Sequence, residues 1–147
     1  MAFHLFAKKV RNEELCFVRD IIELGAAIAD VTSIPVMRSV ILKIINKYNL
    51  EDRLNEVSEN GHYIIEDCYP YDNTKKMNYA RELLNARKEI PLNDEEKEHV
   101  LYAALKCVEK MNFSYQDKVT LIRECLFEPT GNDRVDNLII EQYLPLL

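Results

Sequence analysis

An all-α fold follows from three features of this 147-residue sequence. Ser, Thr, Asn or Asp precede apolar runs at about six or seven places, in the manner of helix N-caps. The runs themselves repeat with a helical rather than an alternating period. Glycine occurs only at Gly25, Gly61 and Gly131, too sparsely for phosphate-cradling loops or long flexible connections. Together these predict one compact bundle of about six or seven helices over residues 1–147, with an irregular tyrosine-rich segment near 62–73.

The first helix is expected over 13–31. Asn12 caps it, Glu13 and Glu14 suit its first turn, and Leu15, Val18, Ile21, Ile22 and Ile28 share one face with the small residues Gly25, Ala26 and Ala29. Ser33 caps a second helix, with Pro35 in its first turn. Val36, Met37, Val40, Ile41, Leu42, Ile44, Ile45 and Tyr48 cover most of that helix, which predicts a place at the bundle centre or in a subunit interface. A short helix over 51–59 is stopped by Asn60-Gly61. The segment 62–73 places three tyrosines and two isoleucines in twelve residues without a helical period.

A fourth helix opens at Asn73 or Thr74 and runs to Lys88, with Met77, Ala80, Leu83 and Leu84 inward. Asn93 opens a fifth, with Glu96 as its capping-box partner, and Val100, Leu101, Ala104, Leu105 and Val108 facing the core. Ser114 with Asp117 resembles the same box and opens a sixth helix through Phe127. Pro129-Thr130-Gly131-Asn132 is a turn cluster. The last helix is expected to turn Val135, Leu138, Ile139 and Tyr143 inward before it meets Pro145.

Composition bounds the function. The 48% hydrophobic and 30% charged fractions are those of an ordinary folded globule. The net charge of -6 is spread along the chain and repels phosphate backbones and anionic membranes at long range. No run approaches the ~18 apolar residues of a membrane span. Cys16, Cys68, Cys107 and Cys125 form no C-x-x-C pair, and three lie in apolar helical runs, the pattern of buried thiols in a reducing compartment. The N-terminal Lys8 and Lys9 follow the apolar residues, the reverse of a secretory signal. The expected location is the cytoplasm.

The motifs that could carry chemistry are few. Glu96-x-x-His99 has the spacing used by helical di-iron sites, and Glu59 to His62 repeats it. With Leu101 as the inward reference, Glu96 and His99 fall on the outer face with Lys106 and Lys110, so both are expected to be solvated and no metal or cofactor is assigned. The second pair straddles Asn60-Gly61. No serine lies in a G-x-S-x-G elbow. Cys68 and His62 share the irregular segment, but Glu66 and Asp67 would disfavour a thiolate there. The helix over 75–88 is locally basic through Lys75, Lys76, Arg81, Arg87 and Lys88, with only Tyr79 to stack on a base. Helix number and size are similar to those of Bcl-2-like or death-fold modules, both helical interaction domains.

The expected function is therefore that of a non-enzymatic protein-interaction module (adaptor, inhibitor or complex subunit) that also admits a homodimer. Its candidate contact residues are Tyr63, Tyr69 and Tyr71 in the irregular segment, Phe3 and Phe6 near the N-terminus, and Leu146 and Leu147 at the other end. Two competing readings are a small helical enzyme or ligand carrier with a core pocket near His62 and Cys68, and a nucleic-acid-associated protein using the basic helix.

Overall fold

The computed structural model describes residues 33–49, 51–53 and 72–147. Within them the chain forms five α-helices and no strand. These are α1 (Ile34–Lys47), α2 (Asn73–Glu89), α3 (Asp94–Lys110), α4 (Tyr115–Cys125) and α5 (Asp133–Tyr143), with 3-10 turns at Glu51–Arg53 and Leu144–Leu146. The expected helix over 13–31 and the segment 62–71 lie outside the described residues, as does the rest of the expected 51–59 helix beyond its first turn.

Each helix begins where a short polar side chain can take the amide protons that the first turn leaves unpaired. Ser33 Oγ accepts from the Val36 amide at 3.3 Å, and Ser114 Oγ from the Asp117 amide at 3.2 Å. At α3 the Asn93 side chain and the Glu96 carboxylate cap each other's backbone amides, both at 2.9 Å, which completes the capping box. The α2 cap is Asp72, one residue before the expected start, accepting from the Lys75 amide. Asn132 Oδ1 accepts from the amides of Arg134 and Val135 to open α5.

The core is built around α3, which packs against α2, α1 and the Leu144–Leu146 turn; α4 bridges α2 and α5. Ala80 and Ala86 of α2 and Ala103 and Ala104 of α3 are fully buried. Side chains this small let the two helix axes approach, and Leu83, Leu84, Val100 and Val108 fill the space around them. The inward residues expected on α2 (Met77, Ala80, Leu83, Leu84) are all buried.

Three placements differ from the sequence expectation. Among the described residues the centre belongs to α3 rather than α1: on α1 only Val40 and Ile44 are buried, while Ile34 and Leu42 are exposed. Glu96 and His99 are buried rather than solvated. The buried arc of α3 is centred on Glu96, Val100, Ala103 and Cys107, and Leu101 is only partly buried at its edge, so angles measured from Leu101 mislead. The α5 helix is rotated by roughly one residue, about 100°. It turns Asp136 and Ile140 inward and leaves Val135 and Leu138 exposed, while Ile139 is half-buried and Tyr143 packs against the core as expected.

Candidate functional site

An active site needs polar groups that are not committed to holding the fold. Glu96 is 1% exposed and its carboxylate accepts from three donors: Lys43 Nζ at 2.5 Å, Ser39 Oγ at 2.5 Å and the Asn93 amide. Two donors come from α1, across more than fifty residues of sequence, so the cluster fastens α1 to α3. Burial raises the Glu96 pKa; the Lys43 and Ser39 hydrogen bonds, the Asn93 amide and the Lys43 charge outweigh it and bring it down to about 2. The Lys43 ammonium sits where a metal ligated by Glu96 would need to approach. Among the described residues no group of three His, Cys, Asp or Glu side chains could hold a metal. His99 lies three residues along the same buried side, with Ala103 and Cys107 following at helical spacing, and burial lowers its pKa. Cys107 and Cys125 are thiols buried in the core, and burial raises the pKa of Cys125.

The basic face of α2 is similarly engaged. Lys76 Nζ donates to the Met111 carbonyl at the C-terminus of α3 at 3.1 Å and lies 5.3 Å from the Phe113 ring centroid. Arg81 pairs with Glu124 of α4 at 2.5 Å, which raises its pKa. Arg87 donates to the Leu84 carbonyl and, at 2.8 Å, to the Cys125 carbonyl, the last residue of α4. Lys76 and Arg87 thus neutralise the partially negative ends of neighbouring helices. Tyr79, the aromatic that could have stacked on a base, is buried. Three of the five cations singled out on this helix are internal fasteners.

At the α4–α5 corner, Asp136 accepts from the Thr130 amide at 3.0 Å and from Thr130 Oγ1 at 2.7 Å. The Thr130 hydroxyl in turn accepts from the Asn132 amide. Gly131 supplies the left-handed residue (φ 84) that this tight loop requires. Because Asp136 must face the loop, Ile140, one turn on, faces the core, and the stripe containing Val135 and Leu138 is carried outward. Val135 is 41% exposed and Leu138 60%. Leu146, in the following turn, is 42% exposed, whereas Leu147 is 3% exposed and packed in the core. Of the two C-terminal contact residues expected from the sequence, Leu146 is therefore accessible and Leu147 is occupied within its own fold. Phe3, Phe6, Tyr63, Tyr69 and Tyr71, and also His62 and Cys68, lie outside the described residues.

A separate concavity of about 420 Å³ lies at the C-terminal end of α1, lined by Leu42, Ile45, Asn46, Asn49, Glu51 and Asp52. Among the described residues no helix is long and apolar enough to cross a membrane. The outward stripe of α5 is the accessible apolar feature that the sequence reading missed. The spacing of Val135 and Leu138 places them on one face, and the structure turns that face outward rather than inward. No protein family, curated protein or solved structure matches this chain.

Proposed function

We propose that this chain is a non-enzymatic, cytoplasmic protein-interaction module whose contact surface includes the outward face of α5 and Leu146. The observation that carries the reading is the mismatch on α5. Val135 and Leu138 point away from the core that the helix helps to close, and large aliphatics left in water on one face favour a partner that covers them. A second support is the use of the buried polar groups. Buried Glu96 and the half-buried Lys76 and Arg87 hold helices together, and Asp136 closes the loop before α5.

A photo-crosslinking residue at position 138, introduced in the native cell, tests this. The expected result is a discrete heavier adduct from position 138 and none from position 109, an exposed control on α3. Equal labelling from both positions would overturn the assignment of the face.

A further inference from the structure

We propose that the occupant of this face is a second copy of the same chain, through antiparallel pairing of α5 with itself about a two-fold axis near Leu138. The inference rests on the interaction reading above and adds the partner. Val135, Leu138 and Gln142 succeed one another at i, i+3 and i+7, the spacing of a helix–helix seam. Arg134 and Glu141 are seven residues apart and so flank the seam on the same side; both are exposed and neither has an ion-pair partner among the described residues. A two-fold axis perpendicular to an antiparallel pair keeps each flank on its own side and reverses the helix ends. Arg134 of one copy then meets Glu141 of the other, and the exchange is made twice. Leu138 lies near the midpoint between them and packs on its own image. In a parallel two-fold pairing the flanks change sides, so Arg134 and Glu141 would face Ile139 and Leu146 of the other copy and meet no opposite charge; only the antiparallel arrangement brings them together.

The helix is 11 residues long, about 16 Å. Paired alone it buries less than the ~1,200 Å² of a stable interface, so the dimer is weak and concentration-dependent.

Sedimentation velocity over roughly 1–300 µM, where an interface of this size dissociates, is the test. The mass should rise from 17.2 kDa toward twice that value. Leu138→Asp should hold it at the monomer with an unchanged far-UV CD spectrum. Arg134→Glu and Glu141→Arg should each weaken association about tenfold, and combining them should restore it. A monomer at every concentration, or association that survives Leu138→Asp, overturns self-pairing, and so does a double charge reversal that fails to rescue. If the chain stays monomeric while a probe at position 138 still crosslinks to a different protein, self-pairing fails and the interaction reading stands. Loss of the crosslink as well refutes both.

Discussion

Glu96 on α3 and Asp136 on α5 are both carboxylates turned into the protein, yet they are satisfied in opposite ways. Glu96 takes its side-chain donors from α1, more than fifty residues away. Asp136 takes both of its donors from Thr130, six residues away. The distant network exists only after α1 has docked, so it reports on tertiary assembly. The local network involves only the Thr130–Asp136 stretch, so it fixes the rotation of α5 relative to its own loop. Two similar acids thus govern different levels of structure, because one closes a long loop of chain and the other a short one.

The comparison can be broken hardest at Lys43. Lys43→Met leaves the Glu96 carboxylate buried with Ser39 and the Asn93 amide as its remaining donors. The expected loss is about 2–3 kcal/mol, moderated because Lys43 is itself partly exposed. Thermal unfolding should show a fall of roughly 5–10 °C for a chain of this size. Replacing both members (Lys43→Met with Glu96→Gln) should recover part of the loss, as the charge left alone is the main cost.

Acidification separates the two effects by pH. A carboxyl whose folded pKa lies below its unfolded value stabilises the fold above the unfolded value, and this contribution is lost as pH falls through the folded one. For Glu96 the window runs from its ordinary 4.5 down to about 2. The stability gap between the natural chain and Glu96→Gln should be full at neutral pH and narrow across that interval. A gap that is constant from pH 7 to pH 2 would show that the Lys43 contact carries no net charge stabilisation. Asp136 is shifted in the same direction by the Thr130 amide and hydroxyl, so Asp136→Asn should also narrow its gap on acidification.

Asn93→Ala removes the cap of α3 while leaving Lys43 and Ser39 in place, at an expected cost of about 1 kcal/mol by denaturant unfolding. Gly131→Ala tests the local side of the comparison. A Cβ there meets nothing within 4 Å, so any cost is conformational, roughly 1 kcal/mol from the left-handed backbone. The smallest expected effect is Thr130→Val, which keeps the amide donor and loses the hydroxyl. Its value lies in the readout, since a looser corner lets α5 turn and should reduce the solvent accessibility of Leu138 to radical footprinting.

Helix starts were legible because caps are local: Ser33, Asn93 and Ser114 each bond an amide three residues ahead, and no other part of the fold is needed to place them. The candidate contact surface was only half legible. The sequence points to Leu146, which is exposed, but its helical period assigns Val135 and Leu138 to the core, and they are exposed too. Their spacing gives a face without a direction. The Ser114–Asp117 pair is instructive in the same way. The serine caps as expected, but the Asp117 carboxylate accepts from Asn73 at the start of α2, a partner that no spacing rule could supply.

By itself, then, the amino-acid order determined the helical class, the capped starts and the apolar stripes, since each depends on groups within about one helical turn. The tertiary arrangement decided which helix is central, that Glu96 and His99 are buried, that Lys76 and Arg87 serve as caps for other helices, and which way the stripe of α5 faces. Those outcomes depend on how many neighbours surround each helix and on which carbonyl or carboxylate arrives from a distant part of the chain. Periodicity along one helix carries neither quantity.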